Sequence, residues 1–179
     1  MENVSFELIP YRWDAGVPPV LQGQVLNVDD RLRVAYRLTG GPPGWRMPER
    51  SLHPERRWKL WRQTCFELFW RPFERHHYWE LNASCEGHWN VFAFSGYRQG
   101  MAEEHRMTSV VLETRHEPDG FYLACEMSLG TILTPGPLRL GPAAVLVSTT
   151  GQRTYWALSH EARGPDFHRL ANFGLQIET

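Results

Sequence analysis

Apolar and polar residues alternate along short segments of this chain, which is the pattern of half-buried β-strands. The clearest case is RLRVAYRL at residues 31–38, where Leu32, Val34 and Tyr36 share one face. The arginines occupy the other face. Because one face of an antiparallel sheet commonly faces water, we interpret this arginine row as solvated surface rather than as a basic binding surface.

Three aromatic-rich runs between residues 60 and 101 dominate the chain. QTCFELFW, HHYWELN and HWNVFAF each predict a strand of five to eight residues. These runs also contain polar side chains that an apolar strand would not carry, namely Glu67, Glu80, Asn82 and Asn90. A buried carboxylate or amide needs hydrogen-bond partners. Rings beside such groups are typical of a sugar pocket, and equally of a core with a few satisfied polar groups.

The remaining pattern predicts about ten short strands separated by turn residues. Further strands are predicted at 5–9 (an edge strand), 20–28, 109–116, 121–128, 143–150, 153–160 and 173–177, with loops at 40–45 and 134–142 and a short helix near 54–61. Each alternating strand must bury one face against another sheet. We therefore predict an all-β fold, a two-sheet antiparallel β-sandwich of jelly-roll type, as a single domain over residues 1–179.

Composition narrows the function classes. A formal net charge of -1 provides no global field to attract nucleic acid or an anionic membrane. The first residues lack the apolar core of a secretory signal, and no run is long enough for a membrane span. Cys65, Cys85 and Cys125 are odd in number and lack CxxC spacing, so we expect buried, reduced thiols in a cytoplasmic protein.

Catalytic signatures are missing from the sequence. There is no HExxH, no GxSxG and no phosphate-binding loop. Glu67 and Glu80 on neighbouring strands suggest glycoside hydrolysis, which requires a matched pair across a substrate cleft. His160 and His168 flank a loop that contains Asp166, where hydrogen bonds that orient the loop are the expected role.

Three separated segments carry a resemblance to a known family. LWxQxxFExF at 60–69, YWELN at 78–82 and PDFHRLANFG at 165–174 resemble the DOMON-like domains related to family 9 carbohydrate-binding modules, and most closely a bacterial cytoplasmic subgroup. The resemblance spans about residues 20–177. It implies a jelly-roll-like β-sandwich. In the sugar-binding members two aromatic rings clamp a terminal sugar, while a Glu, an Arg and an Asn bind its hydroxyls.

Carried over by position, the resemblance assigns the first ring to Trp61 and the second to Phe167. Glu67 matches the carboxylate and Asn82 the amide. Glu80 stands where the sugar-binding members have the arginine, which reverses a charge and removes donors. Each residue also has a simpler interpretation, since the two rings can belong to the core and Glu67 can pair with Arg62 or Arg98.

We therefore expect a non-catalytic module that binds a small sugar-like ligand. The expected site is Trp61, Glu67, Glu80, Asn82 and Phe167, with Asp166 and His168 holding one wall and Arg98 neutralising one carboxylate. The alternative is a haem-binding domain with Met101 or Met107 and His160 or His168 as axial ligands. A hydrolase is the weaker alternative. Structural calcium occurs in related modules, but Asp14, Asp29 and Asp30 are too dispersed to assign a site.

Overall fold

The structure, a computed structural model, describes residues 2–29, 31–40, 44–133, 135–161 and 163–179. Within these ranges the chain forms twelve β-strands and two single 3-10 turns, so the predicted all-β class is confirmed. Asp30, residues 41–43 of the predicted loop at 40–45, and Thr134 lie outside the described residues. The strands are β1 (Glu2–Pro10), β2 (Val20–Val28), β3 (Arg31–Thr39), β4 (Cys65–Pro72), β5 (Tyr78–Ser84), β6 (Trp89–Phe94), β7 (Ala102–Glu103), β8 (Val111–Glu117), β9 (Gly120–Ser128), β10 (Pro137–Val147), β11 (Arg153–Ala157) and β12 (Leu175–Glu178).

The strands form one continuous antiparallel sheet that curls on itself. Its order is β7-β6-β5-β4-β10-β11-β1-β2-β3-β9-β8, with β12 beside β10. Strand β1 connects the two halves of the sheet. It pairs with β2 from Glu2 to Leu8 and with β11 at Ile9 and Pro10. Within the predicted edge strand at 5–9, residues 5–8 pair with β2 alone, and Ile9 pairs with β11. The finer description as a two-sheet jelly roll stays a prediction.

The large core fills the space between the two halves of the curled sheet. Six residues that the alternation predicts to be buried are each at most 1% exposed, namely Leu32, Val34, Tyr36, Phe66, Leu68 and Val91. Tyr36 of β3 links the halves, because its ring lies 5.3 Å from that of Phe66 and its hydroxyl donates a 2.5 Å hydrogen bond to the Glu67 carbonyl. Packing across the two halves thus fixes the position of β4.

A second, smaller apolar cluster covers the opposite face of β4, β5, β6 and β10. It consists of Phe69, Tyr78, Phe92, Phe94, Ala143, Val145, Val147, Ala157, Phe167 and Phe173. Side chains alternate along a strand, so Glu67 and Phe69 point away from the core that Phe66 and Leu68 fill. The sequence QTCFELFW therefore contributes to both clusters at once.

Two segments depart from the sequence-based expectation. Residues 134–142, expected to form a loop, contain the first half of β10, where Leu138 and Leu140 are buried between β4 and β12. Burial and pairing on both sides outweigh the turn preference of the Pro and Gly residues. The short helix expected near 54–61 is reduced to one 3-10 turn at Leu60–Arg62.

The three cysteines are free and buried, as expected for reduced thiols. Burial raises the pKa of the Cys85 thiol to about 12, which keeps it protonated and unreactive. No helix in the described ranges is long and apolar enough to cross a membrane.

Gly23 of β2 provides a test of the close packing between β1, β2 and β3. A Cβ atom at this position would lie 2.0 Å from the Ala35 carbonyl oxygen and 2.5 Å from the Phe6 ring. We expect Gly23→Ala to lower the free energy of unfolding by roughly 1–3 kcal/mol in urea denaturation, because the backbone must shift. Gly164→Ala is the matched control, since nothing lies within 4 Å there. Equal stability of the two variants would contradict this packing.

Candidate functional site

A cavity of about 490 Å³ opens on the face of the sheet that carries the smaller cluster. Six of the eight residues expected at the site line it. The complete lining is Trp61, Arg62, Glu67, Glu80, Phe94, Arg98, Met101, Val145, Arg153, Tyr155, Pro165, Phe167 and His168. The structure thus brings the 3-10 turn before β4 together with the loop before β12. Asn82 and Asp166 lie outside the lining.

Strand register places the two carboxylates on the same face. Glu67 of β4 lies opposite Asn82 of β5, and Glu80 lies opposite Phe69, so the two glutamates are diagonal neighbours. Diagonal neighbours on adjacent strands are about 7–8 Å apart at the backbone, which long side chains can bridge. Glu67 is 3% exposed and Glu80 is 5% exposed. Both acids therefore form the floor of the cavity, largely shielded from bulk water.

Burial controls the protonation of this pair. Desolvation raises the pKa of Glu67 well above its ordinary value, and the negative charge of Glu80 raises it further, although a hydrogen bond with Cys65 opposes the change. Desolvation also raises the pKa of Glu80 to about 7, against the Asn82 hydrogen bond and the Arg98 charge. The pair titrates as a unit and retains a proton near neutral pH.

The Asn82 side chain lies beneath the cavity floor and hydrogen-bonds Glu80. It is fully buried, its Nδ2 donates a 2.6 Å hydrogen bond to Glu80 Oε1, and its Oδ1 accepts one from the Cys65 thiol at 3.4 Å. The amide therefore orients the Glu80 carboxylate. The resemblance gives the matching Asn a direct role in binding hydroxyls, whereas here the side chain contacts protein groups and does not line the cavity.

Aromatic rings form the walls. Trp61, on the 3-10 turn, contacts Phe92 edge-on with centroids 5.7 Å apart and keeps part of its ring exposed to the cavity. Phe167 is 8% exposed because it packs against Phe69 and Tyr155. Tyr155 is less buried and also lines the cavity. Sequence reasoning missed Tyr155, although its alternation with the core residue Trp156 in β11 was a usable signal.

The loop at 163–168 is held by Asp166. Its Oδ1 accepts hydrogen bonds from Arg98 Nη2 at 2.8 Å and from the His168 N–H at 3.2 Å, and the Tyr97 hydroxyl also donates to its carboxylate. Arg98 was expected to neutralise Glu67 or Glu80. Its ion-pair partner is instead Asp166, at 2.8 Å, although the Arg98 charge also lowers the pKa of Glu80.

His168 is a neutral group at the edge of the floor. Burial and the Arg98 charge lower its pKa to about 4. The Tyr78 hydroxyl accepts the Arg98 N–H at 3.2 Å and forms a 2.7 Å hydrogen bond with His168 Nδ1. His168 Nε2 lies 3.8 Å from Glu80 Oε2. In the tautomer whose Nδ1 accepts the Tyr78 proton, Nε2 carries a proton and presents a donor toward the cavity floor.

The residues proposed as haem ligands are dispersed. Met107 is buried in the large core, and a nitrogen of His160 hydrogen-bonds the Ile9 carbonyl at 2.9 Å. Only Met101 and His168 of the four line the cavity. Among the described residues no group of three or more His, Cys, Asp or Glu side chains is arranged to hold a metal ion.

Comparison with solved structures shows the fold of family 9 carbohydrate-binding modules. A proposed carbohydrate-binding protein from Bacteroides uniformis aligns with a TM-score of 0.69 at 13% identity, over 98% of this chain and 85% of that chain. A family 9 module from Caldicellulosiruptor kristjanssonii in complex with cellotriose aligns with a TM-score of 0.53 at 12% identity, over 88% of this chain and 74% of that chain. A family 9 module from the same organism in complex with glucose aligns with a TM-score of 0.55 at 11% identity, over 92% of this chain and 78% of that chain. No protein-family model and no curated protein sequence matches the chain.

Glu80→Gln tests the buried acid pair through stability. Because the folded state holds a proton that the unfolded state loses above pH 4.5, this stabilisation is present at low pH and lost as the pH rises through about 7. At pH 8 we expect the free energy of unfolding of the variant to exceed that of the parent by on the order of a few kcal/mol, and at pH 4.5 the two should be similar.

Glu104→Gln is the control, because its expected effect on stability at pH 8 is opposite to that of Glu80→Gln. Arg106 and Trp79 bind the Glu104 carboxylate and lower its pKa to about 2, so removal of its charge should destabilise the protein at pH 8. Melting curves recorded across the pH range by circular dichroism distinguish the two cases. Loss of stability in Glu80→Gln at pH 8 would show that the Glu80 charge is favourably bound.

Proposed function

We propose that residues 1–179 act as a single, non-catalytic domain that binds a small sugar-like ligand in the cavity above Glu67 and Glu80. The observation that carries this proposal is the combination of partly exposed rings on the walls with buried hydrogen-bonding groups on the floor. The three aligned structures support it, since one is a proposed carbohydrate-binding protein and the other two are family 9 modules in complex with cellotriose and with glucose. Membership in the DOMON-like group and a two-sheet jelly-roll topology are part of the same proposal.

The chemistry of the cavity suits a sugar ring. A sugar presents apolar C–H groups on its faces and hydroxyls at its edge. Trp61 and Tyr155 offer ring faces for the C–H groups, and Phe167 completes that wall. On the floor, a pair of carboxyl groups that holds one proton can donate that proton to one hydroxyl and accept hydrogen bonds from others through its remaining oxygens, which matches hydroxyls that both donate and accept. In the tautomer that carries its proton on Nε2, His168 adds a further donor.

Binding is favoured over hydrolysis by the placement of the acids. A glycosidase places its two carboxyl groups on either side of the scissile bond. Glu67 and Glu80 instead lie side by side on adjacent strands beneath the cavity, so both approach a ligand from the same direction. We include a cytoplasmic location in the proposal, supported by the three free, buried thiols.

Trp61→Ala tests the site. We expect it to weaken binding of glucose and cellotriose roughly ten- to a hundredfold, because loss of one stacked ring costs about 1–3 kcal/mol by analogy with base stacking. Isothermal titration calorimetry measures the affinity, and circular dichroism verifies the fold.

Trp58→Ala is the matched control. Trp58 also contacts Phe92 edge-on, at 4.8 Å, but it is absent from the cavity lining. Its removal should leave the affinity within about twofold of the parent. Equal losses in both variants would contradict the placement of the ligand on Trp61. Absence of binding to either sugar at millimolar concentration would contradict the assignment of these sugars as ligands.

A further inference from the structure

Charge is distributed unevenly along the depth of the cavity. The acids Glu67 and Glu80 form the floor, whereas Arg62, Arg98 and Arg153 line the exposed part near the mouth. No Arg or Lys of the described chain forms an ion pair with either floor carboxylate. The negative and positive groups are therefore arranged in layers rather than in neutralising pairs.

Two of the mouth arginines have no carboxylate partner within the part of the chain that the structure describes. Arg153 Nη2 donates to the Arg62 carbonyl at 2.8 Å, which brings the start of β11 beside the 3-10 turn. Among the described residues, neither guanidinium forms an ion pair. The third, Arg98, is engaged by Asp166. By contrast, arginines on the solvated face of β3 and β8 pair with neighbouring glutamates, as Arg33 does with Glu113 and Arg115 with Glu117.

We propose that the ligand is a sugar with an anionic substituent, a carboxylate or a phosphate, which Arg62 and Arg153 bind at the mouth while the sugar hydroxyls face Glu67 and Glu80. This inference rests on the proposed sugar-binding function. A guanidinium presents a planar set of donors that matches both anions. The acidic floor repels an anion, so the substituent must face outward, and the positive mouth disfavours a cationic one.

Calorimetric titration with glucose 6-phosphate, glucuronate, glucose and inorganic phosphate tests the proposal. We expect at least one of the two anionic sugars to bind about tenfold more tightly than glucose, since each exposed charge-assisted contact contributes a few-fold. The phosphate and carboxylate arms distinguish the two substituents. Raising the salt concentration from 0.05 to 0.5 M should reduce this advantage, because exposed charges are screened.

The double variant Arg62→Gln with Arg153→Gln should bring the affinity for the anionic sugar down to that for glucose in the same variant. Arg75→Gln is the control for loss of a positive charge elsewhere, because it removes one charge from an exposed turn between β4 and β5 that is outside the lining. The Arg75→Gln variant should bind the anionic sugar more tightly than glucose by the same factor as the parent protein does. If the double variant still binds the anionic sugar more tightly than glucose by the parent's factor, Arg62 and Arg153 do not bind the anionic substituent.

The remaining outcomes separate the inference from the function on which it rests. If glucose binds and neither anionic sugar binds more tightly, the inference fails and the sugar-binding function stands. If inorganic phosphate binds as tightly as glucose 6-phosphate, the mouth is an anion site without a role for the sugar, and the inference is overturned. If none of the sugars binds, both proposals fail.

Discussion

The burial of two carboxyl groups side by side on an aromatic sheet face is the constraint on which the site depends. Glu67 and Glu80 must share a proton or receive hydrogen bonds, because a charged pair without water is unfavourable. The surroundings meet this requirement in part, because the Asn82 amide donates to Glu80 and the Cys65 thiol accompanies Glu67 as a hydrogen-bonding group that lowers its pKa. The remaining hydrogen-bonding capacity faces the cavity, where a ligand can use it.

Successive side chains of a strand point to opposite faces of the sheet, so the same strand contributes core residues on one face and binding residues on the other. In β4, Phe66 and Leu68 pack into the large core, while Glu67 points to the cavity. Tyr36 bonds the Glu67 carbonyl, so the backbone that carries the acid is anchored from the core side. A rigid strand with a functional side chain on one face is a precise support for a binding group. The loop held by Asp166 and Arg98 then closes one wall.

Sequence periodicity was sufficient for the all-β class and for the buried face of β3, because alternation reports burial directly, but it did not predict the first half of β10. The family resemblance, which rests on local motifs, located Trp61 and the loop at 163–168 at the cavity. Periodicity did not identify Tyr155 or Arg153 in β11, because a single short strand does not reveal which distant segment its side chains will meet. The true partner of Arg98 also depended on tertiary packing rather than on spacing.

Carbon-13 NMR titration of the Glu67 and Glu80 carboxyl carbons tests the central claim most directly, with Glu80→Gln used for assignment. If the two acids form the floor of a sugar site, both carboxyl carbons should titrate well above the ordinary range for glutamate, as one coupled pair. Saturation with a bound sugar should shift both resonances together. Two independent titrations near pH 4.5 that do not respond to any sugar would contradict the account.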